Sequence, residues 1–257
     1  MEVVLPVARV GVDMDVLVIH NSYRQRGGED EVFHTEIEML RSRGHRVVTY
    51  HVSNDLVELR NPATLAAGTI WNSRSYAAIR KLIRTEKPQL AHVHNTLPLI
   101  SPSAYYAAKR EGLPVVQTLH NYRLLCPAGT LYRDGATCME CVDRKTALPA
   151  VAHRCYRDST AASATVASML EIHRVLGTWT RAVDIYIALT AWTRNLFITA
   201  GIPSEKIVVK PNFVFPVPVR NVRAHGGAST ALFAGRLAST LCRGTTGNSP
   251  PLCGGWH

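Results

Sequence analysis

The stretch Asp15-Val16-Leu17-Val18-Ile19-His20 decides the fold, together with the loop Asn21 to Glu29 that follows and carries Gly27-Gly28. A short, uninterrupted apolar run ending in a polar residue is the pattern of a parallel strand buried on both faces. The next segment, from about Asp30 to Arg43, changes to helical spacing, with Val32, Phe33, Ile37 and Leu40 on one face. Gly44 stops it, and Arg46 to Val52 reads as a second strand rich in β-branched residues.

The alternation continues outward. Helices are expected over Ser75–Thr85, Ser103–Glu111, Ala162–Leu176 and Trp192–Ala200, and strands over Leu90–His94, Val115–Leu119, Asp184–Leu189 and Lys206–Lys210. Strands alternating with helices predict an α/β domain: a Rossmann-like parallel sheet with helices on both faces. Ligands of such sheets bind beyond the carboxyl ends of the strands, where His20, Gly27, Gly28, His94 and His120 all fall. Cys126 to Cys155 breaks the alternation and reads as a Cys-rich insertion. Pro211 to Pro218, with three prolines, reads as a linker. Ala231 to Ala234 reads as one further strand, and Thr240 to His257 has no apolar period.

The 257 residues are 46% hydrophobic and 19% charged, which excludes global disorder. The net charge of +10 favours anionic partners such as nucleotide diphosphates, lipid phosphates or an acidic membrane surface. The basic residues are dispersed, so a nucleic-acid arm is not expected. No stretch is long and apolar enough to span a bilayer, and residues 1–13 make a poor secretory signal. A cytoplasmic location follows as the default, with peripheral contact at the inner membrane face as a further expectation.

Gly27-Gly28-Glu29 lies between a strand and a helix start. Glycines there let a backbone approach a phosphate, and the helix start offers free N–H groups; a plain glycine turn is the bland alternative. The spacing is not that of a dinucleotide fingerprint. His92 and His94 share a face by strand alternation, and His120 ends the next expected strand. A histidine in such a place donates to a sugar hydroxyl or a phosphate, or acts as a base. Cys126, Cys138, Cys141 and Cys155 include one C-x-x-C pair, and four thiolates suit a structural zinc ion. Two disulfides, an iron–sulfur cluster or unrelated buried thiols are the alternatives.

In the ordered set of these pieces the chain resembles the N-terminal domain of the family 4 glycosyltransferases, which have the two-lobed GT-B fold. The matching residues are Val16 to His20 with Gly27-Gly28-Glu29, His92-Val93-His94, Thr118-Leu119-His120-Asn121, and Asp184 to Phe213 with Thr190, Leu196, Gly201, Lys206-Ile207-Val208-Val209 and Pro211-Asn212. The resemblance implies retaining transfer of a sugar from a UDP- or GDP-sugar to the hydroxyl of a sugar or lipid-linked sugar acceptor, in polysaccharide or glycolipid synthesis. It implies that Gly27 and Gly28, with Arg236, bind the donor diphosphate. His120 is then the catalytic residue beside the reacting sugar, and Glu29, His94 and Asn121 line the acceptor side of the cleft.

The chain departs from the family in three places. Phe213 stands where the family usually has glycine, no lysine follows Arg236 within a few residues, and no second lobe with an E-x7-E motif follows. The expectation is a leader over 1–13, the domain over 14–215 with the 126–155 insertion, a linker and first donor-lobe strand over 216–239, and an aberrant tail over 240–257. A frameshift near Ser239, and a truncated product with little activity alone, fit that reading. The competing readings are a catalytically dead acceptor-binding fragment and a zinc-containing nucleic-acid-binding module.

Overall fold

The computed structural model describes residues 13–216; the expected leader, Arg236, the strand 231–234, Cys242, Cys253 and the tail lie outside the described residues. The chain runs β1 (Asp15–Ser22), α1 (Gly28–Ser42), β2 (Arg46–Ser53), α2 (Pro62–Ile70), α3 (Ser73–Glu86), β3 (Leu90–Asn95), α4 (Ser103–Arg110) and β4 (Val115–Leu119). A hairpin of β5 (Tyr132–Arg133) and β6 (Ala136–Thr137) and the one-turn helices α5 (Glu140–Asp143) and α6 (Pro149–Ala152) come next. Then follow α7 (Thr160–Val175), β7 (Ile185–Ala188), α8 (Ala191–Thr199) and β8 (Ile207–Val209). Six strands form one parallel sheet in the order β2-β1-β3-β4-β7-β8.

The apolar run of β1 explains why it sits inside the sheet. Alternate residues face opposite layers: Val16 and Val18 join Phe33 and Ile37 of α1, while Leu17 and Ile19 belong to the larger core with Ile79 of α3, Tyr105 of α4, Leu170 of α7 and Phe197 of α8. Both faces are therefore covered, as the unbroken hydrophobicity requires.

Local signals set the ends of the helices. Asn61, Asn72, Ser159 and Thr190 cap α2, α3, α7 and α8, each accepting a backbone N–H of the first turn. After α1 the chain turns at Gly44 with φ of 95°, where an added Cβ would stand 2.9 Å from Asp13 Oδ1. Helix α2 has no counterpart among the sequence expectations. Its Asn61-Pro62 start was a legible signal, but its residues show no clean apolar stripe. His173 of α7, expected on the surface or in the core and not as a ligand, is buried; its Nδ1 meets Thr178 Oγ1 at 2.8 Å and its Nε2 meets the Ile70 carbonyl at 3.0 Å, fastening α7 to α2.

The segment 126–155 sits between β4 and α7. Its hairpin turns at Asp134-Gly135, both with positive φ, the residue pair that favours a tight two-residue turn. Arg133 pairs with Glu140 of α5 at 3.1 Å.

Leu17 has no exposed surface. Leu17→Ala is expected to cost about 3 kcal/mol of unfolding free energy by cavity formation, whereas Leu59→Ala, at an 81% exposed position, is expected to change it by less than about 0.5 kcal/mol. Urea unfolding of the two variants measures both.

Candidate functional site

An open cleft of about 820 Å³ lies at the carboxyl end of the sheet. The loop after β1 and the start of α1 supply Tyr23, Arg24, Gly27, Gly28 and Glu29; the turn after β2 supplies Asn54 and Asp55; the end of β4 supplies His120; and the chain leaving the Cys-rich segment supplies Arg157.

Neither glycine is demanded by the backbone. Gly27 has φ of −126° and ψ of 178°, Gly28 is not in the positive-φ region, and a Cβ on Gly28 would meet nothing within 4 Å. What the glycines leave is open space above the N-terminus of α1, where backbone N–H groups and the helix dipole favour an anion. Asp30 holds the loop: its carboxylate accepts from Gly27 N at 2.8 Å and Tyr23 N at 3.2 Å, and its Oδ1 pairs with His20 Nε2 at 2.8 Å. His20 and Asp30 are both buried. Burial lowers the His20 pKa despite the pull of Asp30.

Glu29 is half-buried as a residue, but its carboxyl end is enclosed. Oε2 accepts from Tyr23 Oη at 3.1 Å and from Asn121 Nδ2 at 3.2 Å, while Oε1 has no partner. Burial pushes its pKa up from the ordinary 4.5 to about 7, against the lowering effect of those hydrogen bonds and of Arg123.

Below the cleft floor the histidines meet one another. The β1–β3 register shifts after Ile19, which pairs with Val93, to His20, which pairs with Asn95. His94 is thus the residue without a partner on β1, and such irregularities re-aim side chains. His94 Nδ1 lies 2.9 Å from His120 Nε2, and His92 Nε2 lies 2.8 Å from Thr118 Oγ1. On the other side, His94 Nε2 faces Glu36 Oε2 at 3.5 Å, and Lys210 Nζ binds Glu36 Oε1 at 2.9 Å. Burial lowers the His92 pKa, drives that of His94 well down, and brings that of His120 to about 3, with neighbouring histidines adding to the effect on His94 and His120. The His94–Glu36 approach therefore joins a neutral imidazole to a carboxylate, and Lys210 alone supplies the positive charge.

Among the described residues, one group of three side chains, Glu36, His92 and His94, places ligand-type atoms within 4.8 Å of one another. The Lys210 ammonium already neutralises its single carboxylate, which weakens the attraction for a second cation.

The structure places Gly27, Gly28, Glu29 and His120 on the cleft; Asn121 stands behind Glu29 and donates to it, and His94, expected to line the cleft, is buried behind His120 because the register slip turns it inward. Arg236 lies outside the described residues. The four cysteines stand apart from the cleft. All are free thiols that sense one another, and burial, with the Cys126 thiol beside it, pushes the Cys141 pKa up to about 11. Cys126, Cys138, Cys141 and Cys155 do not bring three sulfurs within 4.8 Å of one another, too far apart to share one ion, so the tetrahedral zinc site expected there is not supported. Sequence reading passed over Glu36, Lys210, Asp30 and Arg157. Glu36 was findable, since a carboxylate at the spacing Phe33, Glu36, Ile37 sits within the apolar stripe of α1.

The model of Glycosyltransferase Family 4 matches residues 26–216 of the chain. Among solved structures, the complex of S. aureus MnaA with UDP aligns at 11% identity and a TM-score of 0.44, over 77% of this chain and 44% of that one. UDP-N-acetylglucosamine 2-epimerase from Rickettsia bellii aligns at 15% identity and 0.42, over 78% and 45%. The apo lipopolysaccharide outer core galactosyltransferase WaaB aligns at 10% identity and 0.41, over 76% and 45%. The chain thus spans less than half the length of each. No curated protein sequence matches it.

The Glu29 carboxyl titrates higher in the fold than in the unfolded chain, so its contribution to stability is fully present below pH 4.5 and is lost as pH rises to about 7. Glu29→Gln is expected to flatten the stability profile in that window and to be the more stable form above it. Chemical denaturation from pH 4 to pH 8 checks this; an unchanged slope contradicts it.

Proposed function

The chain belongs to glycosyltransferase family 4, and from that premise we propose that residues 13–216 are the acceptor-side lobe of an enzyme that transfers a sugar from a UDP- or GDP-sugar to an acceptor hydroxyl with retention. The observation that carries this reading is the convergence of an open Gly27-Gly28 helix start, the enclosed carboxyl of Glu29 and the His120 ring on one polar cleft.

In this reading the diphosphate lies against Gly27 and Gly28, where N–H groups and the guanidinium groups of Arg24 and Arg157 meet the charge that grows as the glycosyl bond breaks. Stabilising that charge is the protein's largest contribution to such a reaction. His120 hydrogen-bonds a hydroxyl of the reacting sugar. Glu29, with its pKa near neutrality, binds the acceptor hydroxyl and is matched to taking up its proton, while Asn121 and Tyr23 orient it. His94 acts from behind His120. Arg236 is assigned to the leaving diphosphate by its sequence motif alone. Turnover by this chain on its own is expected to be low, because the groups in this cleft meet only one side of the donor.

The acceptor is a sugar or a lipid-linked sugar. No helix among the described residues is long and apolar enough to cross a membrane. A peripheral approach to a lipid acceptor fits the net charge of +10 and the exposed Leu56, Leu59 and Trp71.

Gly28→Val tests the reading cleanly, because a side chain there meets open space. Its melting temperature is expected to stay within a degree or so of wild type, while affinity for the preferred UDP- or GDP-sugar drops by about tenfold or more, at least 1.4 kcal/mol. Calorimetric titration against both nucleotide classes measures this. Undiminished binding by Gly28→Val, or no binding of either class by the wild type, would overturn the assignment.

A further inference from the structure

Four polar groups stand in line behind the cleft: Lys210 Nζ, 2.9 Å from Glu36 Oε1; Glu36 Oε2, 3.5 Å from His94 Nε2; and His94 Nδ1, 2.9 Å from His120 Nε2. Glu36 and His94 are buried, and the two atoms that face each other, Glu36 Oε2 and His94 Nε2, have no other partner. His120 alone of the three inner residues reaches the cleft.

We infer that Glu36 and His94 are positioning residues that fix the tautomer of His120, so that it presents a bare Nδ1 to the cleft and acts there as a hydrogen-bond acceptor. The identity of the hydroxyl that it accepts from rests on the sugar-transfer reading; the proton order does not.

Each neutral imidazole carries one N–H, so the close His94–His120 contact admits two orders. In the first, His94 holds its proton on Nε2 and points it at the Glu36 carboxylate. His94 Nδ1 is then the acceptor, His120 donates from Nε2, and His120 Nδ1 is left with its lone pair. In the second, His94 holds its proton on Nδ1 and donates to His120 Nε2. Its own Nε2 lone pair then faces a carboxylate oxygen at 3.5 Å inside the protein, with no N–H between them. Two acceptors facing each other away from water are costly, and the other oxygen of the carboxyl group is already taken by Lys210 Nζ at 2.9 Å. The first order is therefore the one the site selects. A carboxylate that sets a histidine's tautomer through the ring nitrogen remote from the working one is a general device; here the instruction passes through a second histidine.

A cation shared by Glu36, His92 and His94 is the competing use of the same atoms. It gives the opposite result: a metal on His94 Nε2 forces the proton to Nδ1, and His120 then carries its proton on Nδ1. The two readings thus predict opposite tautomers.

The test is two-bond ¹H–¹⁵N correlation spectroscopy of the full chain labelled in its histidine rings, near pH 7. Both His94 and His120 are expected to show a pyrrole-type Nε2 and a pyridine-type Nδ1. Glu36→Gln, of nearly the same volume, is expected to invert the order. The amide oxygen stays with Lys210, the amide NH₂ turns to His94 and donates to its Nε2, and the proton on both rings moves to Nδ1. A wild-type His120 protonated on Nδ1, or a folded Glu36→Gln protein with the wild-type order, overturns the inference. The wild-type spectrum decides the point even where the variant fails to fold. Addition of a UDP- or GDP-sugar is expected to move the His120 Nδ1 resonance; the predicted proton order without that movement upholds the inference and counts against the sugar-transfer reading.

Discussion

The parallel pairing of β1 with β2 on one side and β3 on the other is the constraint on which the rest of the molecule depends. It runs from Asp15 opposite Arg46 to Ser22 opposite Ser53, and from Val16 opposite Leu90 to the shift at His20. A strand flanked in this way and covered on both faces has no place for polar side chains except at its ends. The carboxyl ends of three neighbouring strands therefore carry His20 and Asn21, Ser53, and His94 and Asn95. Asn21 binds the next layer of loops together, donating to the Val52 carbonyl and to Asn54 and accepting from Leu99 N. The cleft is the outer surface of that polar rim.

Behind the rim lies the buried carboxylate of Glu36, in surroundings that would otherwise expel it. Lys210 compensates it from the end of the last strand, and the same lysine lies over the Phe213 ring at 4.7 Å. The charge balance of the cleft floor is thus tied to the segment that leaves the sheet. Around this pair the histidines remain uncharged because burial opposes their protonation. In the proposed proton order their role is directional, in which nitrogen donates and which accepts, and not as sources of positive charge. The cationic side chains that meet the cleft are Arg24 and Arg157.

Strand and helix periods made most of this architecture legible. The apolar runs at 15–20, 90–94 and 115–119 correspond to β1, β3 and β4, and the glycines at 44, 112 and 201 mark the turns after α1, α4 and α8. The order of the strands and the slip that isolates His94 were not legible, because both depend on pairing between residues far apart in sequence. For the same reason the pairing of Glu36 with Lys210, 174 positions away, left no local trace. The cysteine spacing suggested a closed metal site, yet spacing does not fix where four sulfurs end up once a hairpin and two one-turn helices intervene. Asp30 escaped notice because an acidic residue in a first helical turn is ordinary; only the fold reveals that it also holds His20 and the glycine loop.

The most direct test of the central claim, that the strand-end cleft is where a nucleotide sugar binds, is to locate a bound donor. Backbone amide shifts of the ¹⁵N-labelled chain, followed during titration with UDP-glucose and separately with GDP-mannose, report the position residue by residue. Saturable shifts are expected for at least one donor, concentrated at Gly27, Gly28, Glu29 and His120. Saturable shifts confined to residues away from this cleft, or none with either donor at millimolar concentration, would contradict it.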